Sequence, residues 1–269
     1  MHSRYFAGFT DKIHGKVIET EGKLSYTRHE PIGVCAGIIP WNFPLTMLSW
    51  KVAPPLATAN TVVIKTSELT PLSALKFAAL VKEAGFPPGV INIITGYGTI
   101  TGDALARHPH VGKIAFTGST AVGREIMKAA AESNLKKVTL ELGGKSPNII
   151  FDDVEDLDKA VFWAYNGIYM NAGQVCFAGS RIYVQENIYD AFVTKFRALA
   201  AARKVGDGLE PDSQQGPQIS QRQFDRVMGY IEAGKKEGAT CYFGGNRVGD
   251  TGYFIEPTIF TGSCWICHP

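Results

Sequence analysis

Cys176 stands in the run GQVCFAGS, which begins at Gly173, and its glycine and alanine neighbours would let a substrate approach the backbone closely. A thiol in such a place is a candidate nucleophile once deprotonated, and Glu141, which opens ELGGKSP, is a carboxylate that could serve as base. A lone cysteine is more often an inert, buried, small apolar residue, and pattern alone leaves that reading open. Asn42 lies in PWNFP (Pro40 to Pro44), directly after an apolar β-rich run. Its amide would sit where open α/β sheets bind ligands and could stabilise an oxyanion, or it could do no more than cap the next helix. Lys65 and Glu68 leave the following run, where an acid and a lysine can bind the hydroxyls of an adenosine ribose, or where two charges simply solvate a strand end. Phe116 to Gly123, FTGSTAVG, reads as a strand, a glycine-containing turn and a helix start whose free N–H groups suit a pyrophosphate.

Other patterns fail on inspection. GGKS resembles the end of a phosphate-binding P-loop, but Thr139 occupies the position that loop reserves for glycine. HEPIG begins like a zinc-protease motif, yet Gly33 stands in place of the second histidine, and no G-x-S-x-G elbow occurs. Cys264 to His268 spells C-x-x-C-H, the haem-attachment pattern, one residue before the end of a sequence that shows no export signal. We read that tail as accidental, and no cluster of metal ligands is visible in the sequence.

These residues need elements to position them. From Gly33 to Ile150 β-rich runs alternate with helical patterns, the signature of a parallel sheet built from βα units. Val34 to Ile39, Thr61 to Lys65, Val90 to Ile94, Lys113 to Phe116 and Lys137 to Leu142 read as buried strands. A helix is expected with Thr70 as cap, Pro71 at its first position and a stop at Gly85; another follows Ser119. Residues 12–31 suggest a hairpin turning at Glu21-Gly22, outside the βα series. Beyond Gly143 a helix is expected near Leu157 to Met170, a strand at RIYVQ, and helices near Tyr189 to Arg203 and Gln221 to Lys236.

The chain is long enough for one large or two ordinary domains, and its hydrophobic fraction of 45% with 19% charged residues is that of a folded globular protein. A formal net charge of +2 without basic runs argues against nucleic acid or acidic membrane as partner and favours a small molecule. Five scattered cysteines point to a reducing compartment, and no apolar run of transmembrane length occurs. The expected location is the cytoplasm, or the mitochondrion if a targeting segment precedes this sequence.

In their order, PWNFP, IKTSELTP, FTGSTAVG, LELGGKSP and GQVCFAGSR resemble the aldehyde dehydrogenase superfamily, densely and collinearly from about Tyr5 to Gly262. The chain is most similar to its general NAD-dependent class. The resemblance implies an α/β fold: a Rossmann-type parallel-sheet NAD-binding domain over residues 32–142 and part of a second α/β catalytic domain over 143–269. Residues 1–11 would be a remnant of an N-terminal region, and 12–31 a hairpin for assembly into homodimers or homotetramers. It makes Cys176 the nucleophile, Glu141 the general base, and Asn42 with the Cys176 backbone N–H the oxyanion hole. Lys65 and Glu68 would bind the adenosine ribose and Ser119 the pyrophosphate. Ile39, Pro40, Trp41, Gly98, Phe116, Gly118 and Val122 would line the cofactor site, with Leu142 and Gly143 near the nicotinamide. The implied reaction is oxidation of an aldehyde to a carboxylic acid through a cysteine thiohemiacetal and thioester, with no metal. Two departures are expected to matter: more than about a hundred residues that the family carries before this segment, and the tail 263–269, SCWICHP, which does not continue the family pattern. They keep two alternatives in view, a non-catalytic interaction subunit and a CoA-acylating enzyme.

Overall fold

Valine- and isoleucine-rich runs that can be buried on both faces form the sheet expected of βα units, and a computed structural model describes residues 2–262. The chain divides between Leu142 and Gly143 into two compact units. The first opens with a short helix, α1 (His2–Ala7), and a hairpin of β1 (Val17–Thr20) and β2 (Lys23–Tyr26). Thr20 pairs with Lys23, so Glu21 and Gly22 form the two-residue turn, with Gly22 at φ +67°. The series continues as β3 (Val34–Ile38), α2 (Pro44–Ala57), β4 (Thr61–Lys65), α3 (Leu72–Glu83) and β5 (Ile91–Ile94). A π-helical turn at Gly98–Gly102 leads into α4 (Asp103–Arg107), followed by β6 (Lys113–Gly118), α5 (Thr120–Glu132) and β7 (Lys137–Leu142).

All five strands of the main sheet run parallel in the order β5-β4-β3-β6-β7. The chain therefore builds outward from β3 to β5, then returns to the other side of β3 with β6, the Rossmann-type order with its switch point between β3 and β6. One face is packed by α2 and α3 through Met47, Leu48, Val52 and Ala74 against Cys35, Val62 and Ile64. The other is packed by α4 and α5 through Leu105, Ala106, Ile126 and Ala129 against Ala36, Ile38, Ile114 and Phe116.

Two expectations need correcting. The edge strand β7 is not buried on both faces: it alternates, with Val138, Leu140 and Leu142 packed toward α5, and Lys137, Thr139 and Glu141 exposed. Helix α3 begins at Leu72, with Pro71 rather than Thr70 as the N-cap residue, and no side chain caps it. Pro71 already has helical angles and its carbonyl accepts from Leu75, while the Thr70 N–H is used in a tight turn with Ser67.

The second unit contains β8 (Pro147–Ile150), α6 (Leu157–Tyr169), β9 (Arg181–Val184), α7 (Glu186–Ala202), α8 (Gln221–Lys236), β10 (Thr240–Phe243) and β11 (Ile259–Thr261). β8 and β9 are a parallel pair; β10 and β11 are antiparallel with a bulge. Its main core joins α6 and α7 through Val161, Tyr165, Tyr169, Phe192 and Phe196. Helix α7 starts at Glu186, three residues before the expected Tyr189, with the still-extended Gln185 (φ −61°, ψ 142°) as its N-cap residue. β8, β10 and β11 were not anticipated as strands; each is short, with four residues or fewer. The C-x-x-C-H pattern at Cys264 to His268, within the tail 263–269, lies outside the described residues.

Candidate active site

Because the five strands of the main sheet are parallel, every segment leaving a carboxyl end emerges along the same edge. That edge of the first unit gathers Ile39, Pro40, Trp41 and Asn42 after β3, Lys65 and Glu68 at and after β4, Gly98 after β5, Phe116, Gly118 and Ser119 at the end of β6, and Leu142 closing β7. The β3 and β6 groups flank the switch point, where α/β sheets open a crevice. Ile39 is buried and Pro40, Trp41 and Asn42 half-buried. Asn42 does not cap α2: the cap residue is Phe43, and no side chain supplies the capping bond.

Lys65 is buried, and its Nζ donates to the Thr66 carbonyl at 2.8 Å and to Glu68 Oε2 at 3.3 Å. Burial works against the Glu68 charge, but its own backbone N–H, the Lys65 ammonium and the Gly98 N–H outweigh that and hold the carboxyl below the usual range. Lys65, Glu68 and Gly98 therefore form one polar cluster, and Glu68 is more than a solvated strand end. At β6 the Phe116 ring folds across the strand end so closely that a Cβ on Gly118 would lie 2.4 Å from it. Ser119 is the N-cap of α5: its Oγ accepts from Val122 N at 3.4 Å, while the N–H groups of Thr120 and Ala121 have no acceptor among the described residues. Val122 is exposed one turn into the helix.

Glu141 lies on the polar face of β7, away from α5. Facing the same region is a residue that sequence reasoning passed over, Lys51 of α2. Its ammonium is pushed down to about 8 by burial, against the pull of the Glu141 carboxylate and with the help of Lys113. A signal was present: Lys51 stands four residues after Met47 and three after Leu48, on the apolar stripe of α2, where a lysine is out of place.

In the second unit Cys176 is half-buried, unlike the fully buried Cys35. It occupies a tight turn closed by Ala178 N on Val175 O at 3.2 Å, and its own backbone N–H meets no acceptor among the described residues. A Cβ added to Gly144 would sit 3.5 Å from the Cys176 carbonyl oxygen, so the exposed Gly143-Gly144 segment passes beside the turn. Among the described residues no group of three or more His, Cys, Asp or Glu could hold a metal ion, and no helix is long and apolar enough to cross a membrane.

The model of the aldehyde dehydrogenase family matches residues 1–264. The chain belongs to the aldehyde dehydrogenase family. It is 64% identical to an aldehyde dehydrogenase of Alternaria alternata over 96% of this chain and 52% of that protein. It is 57% identical to retinal dehydrogenase 2 of Gallus gallus over 96% of this chain and 50% of that protein. Among solved structures, the NAD+ complex of aldehyde dehydrogenase from Bacillus cereus superposes with a TM-score of 0.95 at 50% identity, covering 98% of this chain and 53% of that one. The chain thus spans about half the length of these aldehyde dehydrogenases.

Proposed function

We propose that the protein to which these residues belong oxidises an aldehyde to a carboxylic acid with NAD, using Cys176 as nucleophile and Glu141 as general base. The observation that supports it most directly is at Cys176: a half-buried thiol on a tight turn, beside a backbone N–H with no acceptor among the described residues. The thiolate adds to the aldehyde carbon, and the alkoxide that forms is held by that N–H and the Asn42 amide. Bound NAD supplies the hydride acceptor. The thioester left on Cys176 is then hydrolysed by a water whose proton passes to a Glu141 carboxylate oxygen. Family membership and the names of the relatives support the reaction class.

The cofactor edge fits a dinucleotide on its own chemistry. The buried Lys65 Nζ and the Glu68 carboxylate offer a donor and an acceptor for ribose hydroxyls, and the two acceptor-less N–H groups at the start of α5 suit a pyrophosphate. The Bacillus cereus relative was solved with NAD+, which supports the same assignment. Glu68 would accept from a free ribose hydroxyl and repel a 2′-phosphate, so NAD should be preferred over NADP. Residues 32–142 would form the cofactor domain and 143–269 part of the catalytic domain. We place the enzyme in the cytoplasm as a homo-oligomer. The β1–β2 hairpin, with Val17, Leu24 and Tyr26 largely exposed, would serve as an assembly surface.

The test uses a version with the length of its relatives. Cys176→Ala should abolish NADH formation, including any initial burst. Glu141→Gln should keep the burst and lose steady-state turnover, because addition and hydrolysis need different groups. A burst surviving Cys176→Ala, or rapid turnover in Glu141→Gln, would remove the corresponding role. Glu68→Gln should raise the efficiency with NADP relative to NAD, and an unchanged ratio would mean that Glu68 does not meet the ribose.

A further inference from the structure

The backbone leading from α6 to Cys176 takes an uncommon course. Asn171 (φ 52°, ψ 36°), Ala172 (φ 55°, ψ 35°) and Gly173 (φ 75°) are consecutive left-handed residues. In that region the Cβ of an L-residue crowds the following carbonyl, so glycine visits it routinely, asparagine sometimes and alanine seldom. Such a run persists only where the surroundings fix it.

The surroundings here are specific side chains. Before the turn, Arg203 Nη2 donates to the Tyr169 carbonyl at 3.0 Å and to the Gln214 carbonyl at 3.0 Å. At its centre, Gln218 Nε2 donates to the Ala172 carbonyl at 3.3 Å. After it, Gln174 Oε1 accepts from Ile219 N at 3.0 Å, while Gln174 Nε2 donates back to the Asn171 carbonyl at 3.1 Å. Gln218 is only 4% exposed, and its own backbone N–H is bonded to the Tyr253 carbonyl. The grip therefore comes from a segment 46 residues away in sequence whose own position is fixed. If Ala172 relaxed to the right-handed region, the chain would leave α6 in another direction and carry the Val175–Ala178 turn with it.

We propose that Gln218 is a positioning residue for Cys176: its amide keeps Ala172 left-handed and so fixes the place of the thiol. The catalytic meaning of this rests on Cys176 being the nucleophile; the geometric claim does not.

The test follows iodoacetamide alkylation of each cysteine by peptide mass spectrometry in the 269-residue chain, with buried Cys35 as a gauge of general unfolding. Gln218→Met keeps the bulk but cannot donate. We expect the Cys176 rate to fall about fivefold, the worth of one lost hydrogen bond, with Cys35 still protected. Adding Ala172→Gly should restore the rate to within about twofold, because glycine takes positive φ without the Cβ clash. An unchanged or raised Cys176 rate would overturn the proposal. So would a fall that Ala172→Gly does not rescue, or one accompanied by Cys35 labelling. Alkylation reads the position of the thiol only; loss of NADH formation in Cys176→Ala decides separately whether that thiol is the nucleophile.

Discussion

Lys51 shows how one side chain can carry a cost written into its position. Its ammonium is pushed down to about 8 from the usual 10.5, by burial first, so the folded chain binds fewer protons than the unfolded chain between those values. Stability should therefore rise with pH from about 8 to about 10.5, and below about 8 the full cost of keeping the charge inside is present. That displacement corresponds to roughly 3 kcal/mol. Lys51→Met should accordingly stabilise the chain near neutral pH and much less above the unfolded pKa. Urea midpoints of both proteins at the two extremes measure it, and an equal gain at both would show that the cost is not electrostatic. Gly118 is a second such residue. With a Cβ only 2.4 Å from the Phe116 ring, Gly118→Ala should cost about 1–3 kcal/mol by overpacking, read from the same denaturation curves.

At the level of elements, helix caps differ in how closely the capping side chain meets the backbone. Asp156 caps α6 by accepting from Lys159 N at 3.0 Å, whereas Ser119 meets Val122 N only at 3.4 Å. Asp156→Ala should cost about 1 kcal/mol and Ser119→Ala about 0.5 kcal/mol or less. If Ser119 meets the pyrophosphate, however, Ser119→Ala should weaken NAD binding about tenfold in calorimetry; unchanged affinity would return Ser119 to a purely structural role. Much of this level was legible in sequence. β4, β7, α5 and α8 fall on the residues expected of them: β-rich runs mark the two strands, and Ser119 and Ser220 stand directly before the two helices. The edge position of β7 was not legible, since strand order is a property of the sheet rather than of any strand. Nor was the left-handed turn at Asn171, whose cause lies at Gln218, far along the chain. Of the polar cluster after β4, Lys65 and Glu68 were readable as a motif while Gly98 came only with the family resemblance, and Lys51 was passed over on the apolar stripe of α2.

For the molecule as a whole, the apolar surface left open is the dominant fact. The second unit exposes Ile149 at 60%, Phe151 at 62% and Trp163 at 63%, around a two-stranded parallel pair of the kind normally covered on both faces. The 269 residues alone, about half the length of their relatives, should show little steady-state aldehyde oxidation and should self-associate as concentration rises. NADH absorbance against a full-length relative checks the first, and light scattering the second; turnover comparable to the relative, from monomers, would contradict both. The strand order also has a consequence in time. β3 sits at the centre of the sheet, but its second neighbour, β6, begins about 75 residues after β3 ends, which at ribosomal speeds is about 4–15 s of synthesis. During those seconds the innermost strand is an outer edge, with a full row of amides open to any passing strand. The nascent chain should therefore be most in need of a chaperone between the emergence of β5 and that of β6, and β6 should be the strand whose arrival releases it.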